Sequence, residues 1–340
     1  MSLYCGIDVG SRNVRVVRVR ANLRNIAFEG ADVFPLDLDA QGGLQAGALA
    51  TALGHAAEAA RGADARFVAL PGDRLSTRIV EIPAAAGKKL AEAIAFELEG
   101  AVPFELSAAI VDHHVLSTSA TVIRAMSCAA PRARVKELLD TLRASGIDPR
   151  EIAADPLVYA DLVGQMGSPE RRLGIAGAEG AFAIVDIGHA RTNVAVFRGG
   201  QIEFCRTLGR GGKHVTDAVA QALSIPFLEA ERRKERLRLP QNPPLPNLPP
   251  PPTPEGRAAL AALGAVDLLA KELPRSLAAA GAQMAAPVAG VFLCGGGARL
   301  AGLDDTLNRV LGLPIDPLPL PSSLLSREAM TGSLGIFVTA

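Results

Sequence analysis

The sequence predicts an α/β protein whose two halves repeat one another and enclose a single cleft. Three observations lead there. The chain has 340 residues, more than one hydrophobic core normally serves, so two lobes are expected. An apolar strand ending in Asp-x-Gly occurs twice, at Asp8-Val9-Gly10 and at Asp186-Ile187-Gly188, at a spacing of about 178 residues; that period is too long for a solenoid and suits a duplicated domain. Strand and helix patterns then alternate through both halves. Hydrophobic residues at 49% and charged residues at 21% are globular values.

Charge and cysteine usage exclude several classes. Lys+Arg 35 balances Asp+Glu 35, so the basic excess that wraps nucleic acid or an anionic membrane is missing, and no nucleic-acid partner is expected. Cys5, Cys128, Cys205 and Cys294 lie far apart without a CxxC and form neither a zinc pattern nor a disulfide framework. Met1 to Tyr4 has no basic and apolar leader pattern. The most apolar stretch, Leu277 to Leu293, is interrupted by Gln283 and Pro287 and does not read as a span of about twenty apolar residues. The expectation is a soluble intracellular chain.

The elements follow in order. Leu3 to Val9 is an apolar strand closed by Gly10 to Asn13; Val14, Val16, Val17 and Val19 among Arg15, Arg18 and Arg20 form a second strand, and Asn25 to Phe34 a third. Gly47 to Ala60 is an Ala-rich helix, and Arg66 to Leu70 a short buried strand stopped by Pro71-Gly72. Lys88 to Gly100 is helical, with Leu90, Ile94 and Leu98 on one face and Pro103 ending it. Strands over 109–117 and 121–129 and a helix over 132–145, closed at Gly146, complete a small unit at about 84–150 inserted in the first lobe, 1–180. The second lobe, 181–340, opens with strands 181–187, 194–197 and 202–208, then helices 214–223 and 228–239. Nine of the 24 prolines fall between Pro240 and Pro254, which precludes regular structure and predicts an exposed polyproline-II-like linker or, alternatively, a ligand for a proline-recognising partner. A helix over 257–280 with a kink near Pro274, a buried strand over 288–293, Gly295-Gly296-Gly297, a helix over 303–311 and a strand near Ile315 end the readable part.

Both Asp-x-Gly turns suit a polyanion, because glycine lets backbone amides approach closely. Ser11, Arg12, Asn13, Thr192 and Asn193 add donors for phosphate oxygens. Asp8 and Asp186, one from each half, form a hard-oxygen pair for Mg²⁺ through its retained waters. The Gly295–Gly297 turn, after a strand and before a helix, lets a ligand lie on bare backbone. Gly209 to His214 approaches a Walker A loop but lacks Ser or Thr after Lys213, and no GxGxxG follows a strand, so P-loop and Rossmann readings are unsupported.

In this order the motifs resemble the phosphate 1, phosphate 2 and adenosine motifs of the actin-like ATPase superfamily, whose fold is a duplicated, ribonuclease H-like pair of lobes. Within it the chain is most similar to the group that joins PilM of type IV pilus assembly, the cytoplasmic domain of GspL of type II secretion and, more distantly, FtsA. The carrying residues are Gly6 to Ser11, Ile184 to Gly188 with Thr192 and Asn193, Gly211-Gly212-Lys213, Ala230 to Lys234 and Cys294 to Leu303. Phe96 to Glu99, Val102 to Phe104 and Asp112 resemble the group's small 1C subdomain, and the prolines fall in its shortened 2B-like insert. The resemblance implies ATP or ADP, with Mg²⁺, in the cleft. Asp8, Gly10, Ser11, Arg12, Asn13, Asp186, Gly188, Thr192 and Asn193 then face the phosphates, and Gly211, Gly212, Glu231, Lys234, Gly295, Gly296, Gly297 and Arg299 the adenosine. It further implies a cytoplasmic scaffold, peripheral on the bacterial inner membrane, that docks the cytoplasmic N-terminal tail of a bitopic PilN-like protein or a pilus or secretion ATPase and is compatible with a homodimer. No catalytic residue is assigned. Relatives commonly carry a lysine where this chain has Arg15. Alternatives of the same fold are an active phosphotransferase or ATPase, an FtsA-like polymerising protein and a truncated GspL domain.

Other features have plainer readings. Glu231 and Lys234 are also an i,i+3 pair of a solvated helix. The basic run at Arg232, Arg233, Lys234, Arg236 and Arg238 is interleaved with Glu229, Glu231 and Glu235, which describes a solvated face better than a membrane contact. His113 and His114 are adjacent on a strand, point to opposite faces and cannot simply share a metal.

Overall fold

The computed structural model describes residues 1–23, 25–175, 180–241 and 251–321. The first lobe starts with β1 (Ser2–Val9), β2 (Asn13–Ala21) and β3 (Ile26–Pro35), then α1 (Ala48–Ala59) and β4 (Ala65–Leu70). Two valines of β2, Val14 and Val16, are fully buried against Leu53 and Ala56 of α1 and Val68 of β4, which is why β2 stays in the sheet despite its arginines.

The chain then builds β5 (Ser76–Pro83), α2 (Leu90–Leu98), β6 (Ala109–Thr118), β7 (Val122–Pro131), α3 (Arg132–Ala144), β8 (Glu151–Ala154) and α4 (Tyr159–Gly164). Strands β5, β7 and β6 form a separate antiparallel sheet in that order, and α2 packs on it through Ile94 and Leu98. This insert begins one strand earlier than the sequence reading, which places no element over 76–83. It also ends earlier, because α3 buries Leu138 and Leu142 with Val68 and Leu70 in the first-lobe core. Gly146 after α3 has φ 79°, as expected for a residue past a helix end.

The second lobe contains β9 (Ala181–Ile187), β10 (Thr192–Arg198), β11 (Gln201–Leu208), α5 (Gly212–Leu223), α6 (Phe227–Lys234), α7 (Pro254–Met284), β12 (Val288–Cys294), α8 (Leu303–Leu311) and β13 (Ile315–Pro317). Helix α6 ends five residues before the expected boundary, because Leu239 leaves the helix to donate its amide to Ala301 O at 2.8 Å. Helix α7 is longer than expected and continues through Pro274; Thr253 caps it by accepting from Gly256 N at 3.1 Å, and Pro254 occupies the first turn, where its missing donor costs nothing. The expected polyproline stretch lies, over 242–250, outside the described residues.

The two lobes share one topology. The first sheet runs β3-β2-β1-β4-β8 and the second β11-β10-β9-β12-β13; in each, the leading hairpin is antiparallel and the two following pairings are parallel. Even the register repeats: Gly6 faces Phe67 as Ile184 faces Phe292. Strand β9 is apolar almost throughout because both faces are covered. Ala183 and Val185 meet α5 and α7, while Phe182 and Ile184 meet Tyr159 and Val163 of α4. Leu116 and Met126 of the insert join that same core, so the insert is seated on the second lobe as well as the first.

Candidate nucleotide cleft

Both Asp-x-Gly turns adopt one conformation. Gly10 N donates to Asn13 O at 3.0 Å and Gly188 N to Arg191 O at 2.9 Å. A Cβ on either glycine would lie 2.8 Å or 3.0 Å from that carbonyl, so the glycines close the hairpins tightly. The turns converge on two connected cavities, one of about 40 Å³ between the hairpins and one of about 490 Å³ beside it.

The smaller cavity takes Asp8, Gly10, Ser11, Arg12, Asp186, Gly188 and Asn193 of the expected phosphate set, and also Gly295 and Gly296. Asn13 lines the larger cavity. Thr192 lines neither: it is fully buried, and its hydroxyl donates to Arg210 O at 2.7 Å. Asn193 is likewise committed, donating to Asp155 Oδ2 and accepting from Thr207 Oγ1, both at 2.8 Å. These two residues brace the second hairpin. Register explains the first: Asp8 faces Arg15 across β1 and β2, and Arg15 Nη1 meets Asp8 Oδ2 at 2.6 Å. Arg15 Nε is buried without a partner. Arg12 Nη1 donates to Leu36 O at 2.8 Å.

Asp186, at the end of β9, accepts from Tyr159 Oη at 2.7 Å. Burial pushes its carboxyl up; the Tyr159 hydrogen bond opposes this and the charge of Asp8 adds to it. Asp155, which follows β8, also enters the smaller cavity and pairs with Arg191 at 3.4 Å. Burial raises it to about 6 against the pull of Arg191, with Asp8 and Asp186 contributing. Three carboxylates thus face three guanidiniums, Arg12, Arg15 and Arg191.

The larger cavity is lined by Gly211, Gly212, Glu231, Lys234, Gly296, Gly297 and Arg299 of the expected adenosine set. Gly211 has a different task from ligand approach. A Cβ there would lie 2.6 Å from Gly188 O and His189 O, while Gly212 N and Lys213 N donate to those carbonyls at 2.9 and 2.7 Å; the start of α5 is docked on the second hairpin. Gly295, at φ 83°, and Gly297 pack directly on Asp186 and Ile187. Gly296 alone of the three faces open space, with nothing within 4 Å of a Cβ.

Glu231 and Lys234 form a largely shielded network, unlike the solvated pair that helix spacing also allows. Lys234 Nζ reaches both Glu231 oxygens at 2.8 Å, Thr216 Oγ1 at 2.9 Å and Gly212 O at 3.3 Å. Burial pushes Glu231 up, and Lys234 and Thr216 outweigh it to hold the carboxyl low. His189 lines both cavities; burial brings it down to about 4, against Glu231 and aided by Lys234, so it is a neutral imidazole at pH 7. Sequence reading notes Arg15 only as a departure from its relatives and passes over Asp155, Tyr159, His189 and Arg191 as site residues. For His189 and Arg191 the signal is their place in the second turn. For Asp155 it is Asp-Pro at a strand end, which is too common to single out.

The residues fit a nucleotide by three observations: the unpartnered Arg15 Nε, the open backbone of Gly296, and Arg299, which has no ion-pair partner among the described residues. No cluster of three or more metal-ligating side chains occurs among the described residues, and Asp8 and Asp186 already hold Arg15 and Tyr159. The described residues also contain no helix long and apolar enough to cross a membrane.

Comparison with known proteins agrees with this architecture. The structure of a PilM–PilN type IV pilus biogenesis complex is similar over 99% of this chain and 96% of that one, with TM-score 0.77 and 22% identity. MreB5 of Spiroplasma citri bound to AMPPNP covers 100% of this chain and 95% of its own at TM-score 0.53 and 12% identity, which shows a common actin-like fold. Cell division protein FtsA of Bacillus subtilis is 30% identical over 100 residues, 29% of this chain and 21% of FtsA; the match spans about a fifth of that relative. The family described as type IV pilus assembly protein PilM matches residues 6–253, and this chain belongs to that family.

Proposed function

We propose that the chain is a nucleotide-binding scaffold of a type IV pilus platform. ATP or ADP lies in the larger cavity against Gly296, its phosphates toward Arg12, Arg15 and the two hairpins, and Mg²⁺ is held through water by Asp8 and Asp186. The observation that carries this reading is the convergence of two equivalent Asp-x-Gly hairpins on one glycine-floored cavity of about 490 Å³. The partner is the cytoplasmic N-terminal tail of a bitopic PilN-like protein, which keeps the chain at the inner face of the inner membrane; the assembly ATPase is the alternative partner. The likeness to a PilM–PilN complex supports this partner.

Nucleotide is proposed as a structural ligand, because most polar groups around the smaller cavity already satisfy one another. A ligand at 100 times its dissociation constant stabilises the fold by about 2.7 kcal/mol without turnover. The test is calorimetric titration and thermal shift with ATP and ADP, with and without Mg²⁺, alongside ATP turnover in the wild type and in Asp186→Ala. Saturable binding with background turnover supports the scaffold. Turnover well above background that Asp186→Ala abolishes favours the phosphotransferase reading, and no binding at millimolar nucleotide overturns the cleft assignment. Co-purification from membranes of the intact protein with an identified bitopic pilus protein tests the partner.

A further inference from the structure

The connection between β3 and α1 reaches from the first lobe to the second beside the cleft. Leu36 and Leu38 are buried, and the loop beyond them is organised by Asp39. Its Oδ1 accepts from Gln41 N at 2.9 Å and Gly43 N at 2.7 Å, its amide donates to Gly43 O at 2.8 Å, and its carbonyl accepts from Gly42 N at 3.1 Å. This turn ends against the other lobe. Phe227 N donates to Ala40 O at 3.1 Å, and a Cβ on Gly42 would lie 2.7 Å from the Phe227 ring, so the glycine backbone rests flat on that ring. Gly42 has φ 80°, a conformation that favours glycine.

Both ends of the loop are tied to the cleft. At its root, Arg12 donates from Nη1 to Leu36 O and accepts Leu36 N on its own carbonyl. At its tip, Phe227 packs edge-on against His189, with ring centroids 6.1 Å apart, and Lys213 Nζ lies 5.3 Å from the Phe227 ring centre. Phe227 opens α6 and shares one helical face with Glu231 and Lys234, at i+4 and i+7. The contact therefore ties the loop rooted at Arg12, which lines the larger cavity from the first lobe, to the helix that lines it from the second.

We propose that residues 36–45 are a clasp across the cleft, seated on Phe227, and that its opening gates nucleotide entry and release. This rests on the cleft being a nucleotide site. Phe227 is 4% exposed and has no need to contact the ligand; it is a positioning residue. A gate changes both directions of exchange, whereas a lost ligand contact raises only release.

Stopped-flow exchange of a fluorescent N-methylanthraniloyl-ADP on the full chain tests this, comparing wild type with Phe227→Ala and Gly42→Ala. Gly42→Ala disturbs the same contact from the loop side without emptying the core. The expected result is that association and dissociation both accelerate at least tenfold in both variants while Kd changes less than threefold, and that residues 36–45 lose hydrogen-exchange protection with or without nucleotide. Exchange rates within twofold of wild type in both variants overturn the clasp. Faster release alone, with proportionally weaker binding, also overturns it, by assigning Phe227 to ligand contact. A wild type that binds no nucleotide overturns the site and the gate together, and is distinguished from failure of the gate alone by the missing wild-type signal.

Discussion

Tyr159 donates its phenolic hydrogen to Asp186 Oδ2 at 2.7 Å, so the segment that ends the first sheet supplies the partner for the aspartate that ends β9. The contact spans 27 residues, and its acceptor Asp186 lines the smaller cavity. Tyr159→Phe keeps the ring, which is fully buried, and removes only the donor. The expected loss is about 1–3 kcal/mol of stability, since the Asp186 carboxylate is left under-satisfied. Urea denaturation checks this; an unchanged midpoint would mean that Asp186 finds another donor.

Gly295 and Gly296 are adjacent and should respond in opposite ways. A Cβ on Gly295 would fall 1.9 Å from Asp186 Oδ1 at a φ of 83°. Gly295→Ala should therefore destabilise the fold by more than about 2 kcal/mol through strain and displacement of Asp186. Gly296 has φ −64° and ψ −33° and open space around its Cβ position. Gly296→Ala should leave the melting temperature within about 2 °C of wild type, the range of a surface substitution, and weaken nucleotide binding about tenfold or more, because the methyl occupies ligand space. Melting curves with a nucleotide titration separate the two effects.

What the sequence reveals of this fold and cleft depends on how local each signal is. Strand β9 and the Asp-x-Gly turn after it announce themselves because an apolar run and its turn are contiguous, and the repeat near 178 residues made the doubled topology readable before any pairing was known. Strand β5 has no such signal, because its partner β7 lies roughly 40 to 50 residues away in the chain and nothing local closes it. Thr192 and Asn193 looked like phosphate donors because residue type shows capacity and not commitment; only the approach of Arg210 O and Asp155 shows their hydrogen bonds already made. Arg15 acquires its role from the cross-strand register with Asp8. Asp155 acquires its role from a contact across 38 residues, which no motif records.

The insert is bolted to the second lobe by charge as well as by its apolar face. Arg124 on β7 meets Glu203 on β11 at 2.6 Å, and the Glu203 side chain is 5% exposed. Arg124→Met leaves that carboxylate with Arg198 at 4.0 Å as its remaining cation. The expected cost is about 3–5 kcal/mol, the usual consequence of stranding a buried charge. Adding Glu203→Gln should recover part of it, and a double-mutant cycle by chemical denaturation reads the coupling directly. Additive losses would show that the pair is dispensable to the seating of the insert.

Asp155 and His189 make opposing contributions to stability over nearly the same pH range. Asp155 titrates near 6 in the folded protein, against an ordinary value of 3.8. The folded state therefore holds the proton longer, and its contribution is complete below pH 4 and lost as pH rises through 6. His189 titrates near 4, against 6.5; the unfolded chain takes up the proton first, so its contribution is present above pH 6.5 and lost as pH falls toward 4. Each amounts to about 3 kcal/mol in order of magnitude at 1.36 kcal/mol per unit, and the wild-type stability should change little between pH 4 and 6.5 on their account. Asp155→Asn should expose the histidine, with stability falling as pH is lowered from 6.5 to 4. His189→Gln should expose the aspartate, with stability rising over that range. Urea midpoints of the three proteins at half-unit pH steps give the slopes. Parallel slopes in both variants would show that neither group carries the linkage, and the cavity charges would then have to be balanced through Arg191 alone.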